Sequence, residues 1–315
     1  MTRFYQNVTV PGMELHYEDA ARAHSRFWNE GKWETFIEPL LPEQRNVFLE
    51  IGCNAGLFLK LACDAGFRDV YGVEKSKQAL AQARLYQESN GYPYRVLEGK
   101  VSLHYCVEDL PLSDVVLMSN VHYHLSFEIL ANLVDRLRYK TRYCIVVAAG
   151  ARKQSGRPSY DLARLRGFFA DWEEMRVIEN VPRGDDPAWR ENMYGVLFRG
   201  GLVLKDIDAQ IAEWTRGRGL EDGSLPVCLL DFFGRIRDGE DFRDEDTALY
   251  RYWLERDPAR AAKQLRSNRA MAESVIANGM RQPVFFAKTG KFLDGMHRFY
   301  LAKALGHKSV LARIV

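Results

Sequence analysis

The sequence of 315 residues is poor in cysteine, in long hydrophobic runs and in net charge. Its five cysteines are scattered, with no CxxC pair and no metal-ligand spacing. This argues against a disulfide or zinc scaffold and for reduced thiols. No apolar run approaches the roughly 18 residues of a membrane-spanning helix. The first residues lack the basic and then apolar pattern of a signal peptide, so we expect a cytoplasmic protein without a membrane span.

Charge is distributed unevenly along the chain, although 44 basic and 42 acidic residues leave a net charge of only +2. Residues 256–315 contain 12 Lys or Arg against three acidic residues, whereas the preceding residues are acidic overall. A basic segment on an acidic body predicts a separate module that meets phosphate-bearing partners. The length favours two domains, and the hydrophobic content of 47% is typical of a globular protein.

Short apolar strands alternate with helical patterns in the first half of the sequence. The predicted strands are NVFLEIG (46–52), DVYGVEK (69–75), YRVLEG (94–99), SDVVLMSN (113–120) and RYCIVVAAG (142–150). This alternation predicts right-handed βαβ units and an α/β, doubly wound parallel sheet with helices on both faces. Two further apolar segments within 177–202 are expected to close the sheet as an antiparallel pair.

The pattern changes after residue 202. Three helix-like segments near 207–214, 227–236 and 247–254 predict a helical connector over 203–255. Residues 256–315 predict a small α+β module with a long helix, a strand, a second helix and a final strand. The expected organisation is therefore a domain over 1–202, the connector over 203–255 and the module over 256–315.

The segment FLEIGCNAG (48–56) lies between a strand and a helix, where open α/β sheets bind their ligands. Gly52 and Gly56 permit a tight turn, and the following helix offers free N–H groups. The spacing differs from the GxGxxG of dinucleotide sites and places Glu50 at the strand end, where a carboxylate suits a cationic ligand. Glu74 ends the second strand, where Rossmann-like folds carry an acid that binds ribose hydroxyls.

Residues 25–200 resemble the class I S-adenosylmethionine-dependent methyltransferases. The resemblance rests on three segments in the same order as in that family: 48–56, YGVEK (71–75) and DVVLMSNVHYH (114–124). It implies that the methionine part is held by Glu50 and by the loop residues Gly52, Cys53, Asn54 and Gly56. It also implies that Glu74 binds the ribose, that Glu98 binds the adenine amine and that Asn120 lies under the sulfonium. The alternative is a flavodoxin-like or nucleotide-binding α/β domain with a chance match.

The loop after the fourth strand carries the acceptor-side candidates. It resembles the NVxxHL loops of small-molecule and glycan methyltransferases, and the Asn/Asp-Pro-Pro-aromatic motif of amino-group methylation is absent. His122 or His124 is a candidate base for a hydroxyl acceptor or, as an imidazolium, an anchor for phosphate. The alternative is a histidine that only stabilises the loop, a role that the sequence favours for His124.

Residues 256–315 resemble the ParB/sulfiredoxin superfamily through the sequence Asp294-Gly295-x-His297-Arg298 and the preceding Gln-Pro strand. The resemblance implies an anion site at Gly295, His297 and Arg298, with ATP or ADP and Mg²⁺ as ligands. Relatives that are kinases would require a base, for which Asp294 and Glu273 are the candidates. Sulfiredoxins carry a cysteine where Met296 stands, which excludes sulfinic acid repair. The alternative is a module that only binds phosphate or packs.

The sequence thus predicts a methyltransferase that methylates an oxygen of a sugar, a phosphorylated compound or another small polar acceptor. A kinase-like module beside it suggests a bifunctional enzyme of glycan modification or polysaccharide chain termination. A nucleic-acid-binding methyltransferase, whose basic module holds RNA or DNA, is the alternative, and it requires exposed aromatic side chains. A homo-oligomer is compatible with the sequence.

Overall fold

The computed structural model describes residues 3–4, 6, 8, 16–17, 30–102, 107–149, 161–182, 192–217 and 219–315. The chain forms two compact units. Unit 1 comprises Met1–Val107 and Ser113–Gly201, and unit 2 comprises Glu108–Leu112 and Leu202–Val315. No helix in the described ranges is long and apolar enough to cross a membrane.

A seven-stranded sheet forms the centre of the described part of unit 1. Its strands are β1 (Val47–Ile51), β2 (Asp69–Glu74), β3 (Arg95–Glu98), β4 (Ser113–Ser119), β5 (Thr141–Ala149), β6 (Glu173–Pro182) and β7 (Asn192–Arg199). The spatial order is β3-β2-β1-β4-β5-β7-β6. Strands β1 to β5 are parallel, and β7 runs antiparallel to β5 and β6. The α/β Rossmann-like prediction is confirmed, with a mixed sheet whose order reverses between β1 and β4.

Helices connect the parallel strands, and local sequence signals fix their ends. They are α1 (Leu57–Asp64), α2 (Lys77–Asn90), α3 (Phe127–Leu137) and α4 (Leu162–Phe168). Ser76 and Ser126 begin α2 and α3 by accepting N–H bonds from residues three positions later, and Gly91 ends α2 in a left-handed conformation. Helix α4 was not predicted from the sequence.

The segment before β1 is helical but irregular. A short α-helical stretch, Glu30–Lys32, continues into a π-helix, Trp33–Ile37, and a 3₁₀ turn, Glu38–Leu40. The apolar residues of the segment 25–40 have near-helical spacing, and of this segment residues 25–29 lie outside the described residues. Trp33 packs in the hydrophobic core, with its ring centroid 6.1 Å from that of Phe48 in β1.

Unit 2 contains a four-stranded sheet packed against helices. Its strands are β8 (Leu202–Asp206), β9 (Val284–Phe286), β10 (Phe292–Asp294) and β11 (Ser309–Ile314), and its helices are α5 (Ile207–Thr215), α6 (Leu225–Arg237), α7 (Ala248–Arg256), α8 (Pro258–Asn278) and α9 (Met296–Ala304). The strand order is β8-β11-β9-β10. Strand β11 is parallel to β9 and antiparallel to β8.

The structure differs from the predicted helical connector over 203–255. Strand β8 pairs with β11 from Leu202 opposite Arg313 to Asp206 opposite Ser309, so the segment begins inside the sheet. Helices α5 to α8 contribute to one core with β9 and α9 because each has an apolar face to bury. Residues 202–255 therefore belong to the same unit as residues 256–315.

Aromatic side chains of unit 2 mostly pack in this core. Phe286 and Phe299 are fully buried, and the Phe292 ring meets the Phe286 ring edge-on at 5.2 Å. Phe286 and Phe299 are therefore not available as the stacking platform that the nucleic-acid alternative requires.

A segment between β3 and β4 also belongs to unit 2. The N–H of Leu112 donates to the carbonyl oxygen of Met280 (2.6 Å), and Asp109 lies 3.6 Å from the guanidinium of Arg281. Leu112 packs in a small apolar cluster with Leu202 and Leu311. Unit 2 is therefore assembled from two separate parts of the chain.

Candidate functional site

A strained loop connects β1 to α1 at the carboxyl edge of the sheet of unit 1. Gly52, Asn54 and Gly56 all have a left-handed backbone, with φ of 80°, 50° and 88°. The N–H groups of Gly52 and Cys53 donate to the carbonyl oxygen of Val73 in β2, at 2.8 and 3.1 Å. Such a conformation is uncommon for asparagine and concentrates at ligand sites.

A second loop with a left-handed residue follows β4 and contacts the first. Asn120 has a φ of 57°, and its N–H donates to the carbonyl oxygen of Val147 (2.9 Å). A methyl group at Gly52 would lie 2.9 Å from Cγ2 of Val121. The two loops therefore approach each other as closely as the absence of a side chain at Gly52 allows.

Glu50 is a buried carboxyl group at the end of β1. It is 2% exposed, and its Oε2 has no hydrogen-bond partner. Burial raises the pKa of Glu50 well above its usual range; Lys32 lowers this pKa and Glu74 raises it further. A buried carboxylate without a donor is costly, so this oxygen is suited to a ligand that brings a positive charge or a hydrogen-bond donor.

Glu74 links the end of β2 to the strained loop. Its Oε2 accepts the N–H of Asn54 (3.0 Å), and its Oε1 accepts the N–H groups of Lys75 and Ser76, at 2.8 and 2.9 Å. A carboxylate has about four acceptor positions, so Glu74 retains capacity for a hydroxyl donor. Glu98 is exposed and lies opposite Glu74 in the register of β2 and β3.

Two further polar atoms at the end of β4 are buried without a hydrogen-bond partner: Oγ of Ser119 and Oδ1 of Asn120. With Oε2 of Glu50, they place three unsatisfied polar atoms at the carboxyl ends of the adjacent strands β1 and β4. Buried polar groups in proteins are normally hydrogen-bonded. A ligand with ammonium and hydroxyl donors would satisfy them, and S-adenosylmethionine carries both.

The two candidate histidines differ in burial. His122 is fully buried, and burial, with a smaller effect of His124, lowers its pKa to about 3. His122 is therefore neutral near pH 7 and is suited neither to anchor phosphate as an imidazolium nor to accept a proton. His124 is exposed on the same turn, so it is the histidine that an acceptor could reach.

The side chain of Cys53 does not point towards a ligand. A methyl group at Gly72 in β2 would lie 2.6 Å from its Sγ, which places the thiol against the sheet. Burial raises its pKa, and the charges of Glu50 and Glu74 raise it further. Cys53 thus supports the loop from within the core, because its thiol fills the space that Gly72 leaves open.

In unit 2, the turn at residues 294–298 precedes α9. Gly295 has a φ of 96°, and a methyl group there would lie 3.0 Å from Nη2 of Arg298. Arg298 donates to Oε1 of Gln282 (2.6 Å) and to Oδ2 of Asp294 (3.1 Å). Residues 256–315 contain few acidic residues, but one of them, Asp294, lies one helical turn from Arg298, pairs with it and offsets its charge.

His297 does not supply positive charge to this turn. Its Nδ1 lies 2.7 Å from Oδ1 of Asn268, and burial and the charge of Arg298 lower its pKa, against the effect of Asp294. Asn268 is 2% exposed, and its Nδ2 has no hydrogen-bond partner. The potential donors near this turn are therefore the amide group of Asn268 and the guanidinium of Arg298 rather than an imidazolium.

Sequence reasoning missed two residues beside the strained loop of unit 1. Oε1 of Gln6 accepts the N–H of Leu57, the first residue of α1, at 3.2 Å. Lys32 is 5% exposed, and its ammonium group lies 5.8 Å from the ring centroid of Phe58 in the first turn of α1. These contacts span 26 to 51 positions of sequence, and no local motif marks them. No group of three metal-ligating side chains occurs within the described ranges.

Comparison with known proteins places a family match on this part of the chain. Residues 49–140, from β1 to the start of β5, match the model of a family described as "Methyltransferase domain". No curated protein sequence matches the chain. This part of unit 1 is therefore similar to methyltransferase domains, and the similarity supports S-adenosylmethionine as a cofactor.

Solved structures with similarity to the chain include TehB from Haemophilus influenzae, with 16% identity, a TM-score of 0.43 and coverage of 50% of this chain and 58% of TehB. The N-methyltransferase NodS from Bradyrhizobium japonicum WM9 has 15% identity, a TM-score of 0.41 and coverage of 49% and 85%. Magnesium protoporphyrin IX methyltransferase from Synechocystis PCC 6803, solved with bound S-adenosylmethionine, has 18% identity, a TM-score of 0.39 and coverage of 50% and 71%. The chain thus spans just over half the length of TehB.

Proposed function

We propose that the protein is an S-adenosylmethionine-dependent methyltransferase whose cofactor binds in unit 1. In this proposal Glu50 and the backbone of residues 52–56 bind the methionine part, Glu74 the ribose and Glu98 the adenine amine. Asn120 then lies beside the sulfonium. The cofactor supplies the methyl group, and the residues of the chain bind and orient it and the acceptor.

One observation carries this proposal: Oε2 of Glu50 is buried and unpartnered directly before a loop with three left-handed residues. A structural role alone would favour a satisfied or apolar side chain at this position, because an unsatisfied buried polar group costs about 1–3 kcal/mol. A cofactor ammonium group beside Glu50 removes this cost. The glycines leave the space for its close approach.

Isothermal titration of the protein with S-adenosylhomocysteine tests the proposal. Glu50→Gln should weaken binding by about ten- to a hundred-fold, since a charge-assisted hydrogen bond contributes about 1.5–3 kcal/mol. Glu88→Gln, the same substitution at an exposed position of α2, should leave the affinity unchanged. Absence of binding to the wild type contradicts the proposal.

For the acceptor, we propose a small polar compound methylated on oxygen, such as a sugar or a phosphorylated compound. The exposed His124 and the buried, unpartnered hydroxyl of Ser119 near the end of β4 support polar recognition at this edge. Incubation of the protein with labelled cofactor and a cell extract, followed by mass spectrometry, identifies the acceptor class. Label in nucleic acid only would favour the alternative.

For unit 2, we propose binding of a phosphate group at the turn that precedes α9. The observation that favours it is the buried, unpartnered Nδ2 of Asn268 beside His297, in the first turn of the helix. Phosphate would compete with Asp294 for Arg298. A kinase step would need Asp294 as a base, but this carboxylate is 74% exposed and paired with Arg298, so binding alone is proposed.

Titration with ADP and with inorganic phosphate tests this second site. Arg298→Ala should weaken binding by about ten- to a hundred-fold, the range for a charge-assisted hydrogen bond. The exposed Arg260→Ala in α8 serves as the control. Retention on duplex DNA with a steep salt dependence, unaffected by Arg298→Ala, would instead favour a nucleic-acid partner.

A further inference from the structure

We infer that the turn that precedes α9 recognises a hydroxyl group beside the phosphate of its ligand, through Nε2 of His297. Asn268 acts as a positioning residue, because its amide oxygen fixes the tautomer of the imidazole. The ligand class is therefore a phosphate ester that carries a free hydroxyl, rather than phosphate alone. This inference rests on the phosphate site proposed for unit 2 and names the substrate class of that site.

Three polar side chains meet at this turn, two from α8 and one from α9. Nδ1 of His297 lies 2.7 Å from Oδ1 of Asn268, and Nε2 of Gln264 lies 3.4 Å from the same oxygen and 3.3 Å from Nδ1. Asn268 is 2% exposed, so its side chain is held in the interior of unit 2. Gln264 and Asn268 are four positions apart and therefore lie on one face of α8. The imidazole of His297 is thus tied to α8 through Nδ1.

The oxygen of Asn268 determines which nitrogen of His297 carries the proton. An amide oxygen only accepts hydrogen bonds, so the 2.7 Å contact requires a proton on Nδ1. The amide group of Gln264 donates to the same oxygen, which therefore has two donors. Burial and the charge of Arg298 lower the pKa of His297, against the effect of Asp294, so the ring is neutral near pH 7. A neutral ring with its proton on Nδ1 presents a lone pair at Nε2.

The groups left over at this turn differ in what they can bind. Nδ2 of Asn268 is buried without a hydrogen-bond partner, and Arg298 donates to Asp294, with which phosphate can compete. Both groups are donors and suit phosphate oxygens. Nε2 of His297 is an acceptor without a hydrogen-bond partner in the described ranges, and a phosphate ester ionised near pH 7 has no proton to donate to it. A hydroxyl group of the ligand can donate this hydrogen bond, so the site suits a hydroxylated phosphate ester.

Nitrogen-15 NMR of the imidazole rings tests the tautomer directly. Near pH 7 His297 should carry its proton on Nδ1, and His297→Phe identifies its signals among the seven histidines. Asn268→Leu removes the acceptor and should move the proton towards Nε2, whereas Asn268→Asp retains an acceptor oxygen and should keep the proton on Nδ1. The wild-type spectrum alone decides the tautomer if Asn268→Leu fails to fold. A proton on Nε2 in the wild type, which the opposite orientation of both amide groups would produce, would overturn the inference.

Two esters test the recognition of the hydroxyl group: glycerol 3-phosphate and propyl phosphate. They share a phosphate ester and a three-carbon chain, but only the first has hydroxyl groups. In titration calorimetry the wild type should bind glycerol 3-phosphate about two- to ten-fold more tightly, the range for one neutral hydrogen bond. His297→Phe should abolish this preference, whereas Arg298→Ala should weaken the binding of both esters to a similar extent.

His307→Phe is the matched control, because His307 follows the other end of α9, and this variant should keep the preference. Equal binding of the two esters by the wild type, or an unchanged preference in His297→Phe, would overturn the inference while the phosphate site stands. A wild type that binds neither ester would overturn the phosphate site itself.

Discussion

Burial determines the chemistry of the individual ionisable residues at the carboxyl edge of unit 1. The same physical effect acts on Glu50, Cys53 and His122, since each loses solvation and each is pushed towards its neutral form. The consequences of burial differ between these residues because their neighbours differ. Lys32 lowers the pKa of Glu50, and Oε2 of Glu50 has no hydrogen-bond partner. The thiol of Cys53, in contrast, is packed against the sheet. Glu50 therefore combines an unusual pKa with an unpartnered polar atom at the carboxyl end of β1.

We expect cofactor affinity to increase with pH through the raised pKa of Glu50. Below that pKa the buried carboxyl group holds a proton, and binding of an ammonium group must release it. Lys32, Glu74 and Cys53 face the same region, but Glu50 is the carboxyl group whose pKa is raised. Calorimetry in two buffers of different ionisation enthalpy should show proton release on S-adenosylhomocysteine binding, and Glu50→Gln should abolish it. A pH-independent affinity in the wild type would contradict this assignment.

In the absence of cofactor, the raised pKa of Glu50 should make the stability of the folded protein decrease as pH rises. The unfolded chain ionises Glu50 at the ordinary pKa of a carboxyl group, whereas the folded protein retains the proton to higher pH. Its contribution to the free energy of unfolding is therefore lost as pH rises between these two pKa values. Chemical denaturation across this range should show a smaller loss for Glu50→Gln than for the wild type.

We expect substitution of His122 to lower mainly the stability of the protein and substitution of His124 to lower mainly its methyl transfer. His122→Ala removes a fully buried ring whose centroid lies 4.1 Å from that of Tyr123, so we expect a loss of about 1–3 kcal/mol in the free energy of unfolding. His124→Ala changes an exposed side chain and should alter stability by less than about 0.5 kcal/mol while lowering methyl transfer. Urea denaturation and label transfer to the acceptor measure the two effects. Equal turnover in His124→Ala and the wild type would show that His124 does not contact the acceptor.

At the scale of elements, the strained loop between β1 and α1 packs against the loop after β4. Their left-handed residues, Gly52 and Asn120, turn the chain sharply at the ends of β1 and β4, and Val121 packs against the bare backbone of Gly52. The close approach positions the unpartnered atoms of Glu50 and Asn120 at the same edge. The close packing of the two loops therefore depends on a contact that exists only because residue 52 has no side chain.

Gly52→Ala tests this contact against a matched glycine. A left-handed backbone costs an alanine about 1–2 kcal/mol, and the clash with Val121 adds about 1–3 kcal/mol more. Gly66 has a similar φ of 88° but nothing within 4 Å of the added methyl group, so Gly66→Ala should show the backbone cost alone. Cofactor affinity should fall in Gly52→Ala and recover partly in the double variant with Val121→Ala. An equal loss of stability in the two single variants would contradict the proposed contact.

The sequence predicted the elements whose signals are local and missed those that depend on distant pairing. The strands β1 to β5 and helices α1 to α3 follow from apolar runs, caps and glycines that lie within a few residues of each other. Strand β8 was missed because its partner β11 lies about a hundred residues later, and the segment 203–255 therefore read as a connector. The burial of Lys32 could not be predicted either, because its contact with Phe58 joins residues 26 positions apart.

At the scale of the whole molecule, the chain forms two units, each with a hydrophobic core of its own. The residues assigned to the cofactor all lie in unit 1, and the turn that precedes α9 lies in unit 2. The chain passes between the two units more than once, because residues 108–112, between β3 and β4, belong to unit 2. A cut at the boundary near Gly201 therefore removes the packing partners of this segment.

A fragment of residues 1–201 should bind S-adenosylhomocysteine with an affinity within a few-fold of the full chain. The reason is that Glu50, Glu74, Asn120 and the strained loop need no residue beyond Gly201 in the assignment made above. The fragment should nevertheless aggregate more readily, because Leu112 loses its apolar neighbours Leu202 and Leu311 and becomes exposed. Replacing Leu112 by serine should restore solubility without changing affinity. A fragment that is folded by circular dichroism yet binds no S-adenosylhomocysteine, when the full chain does, would show that unit 2 contributes to the cofactor site.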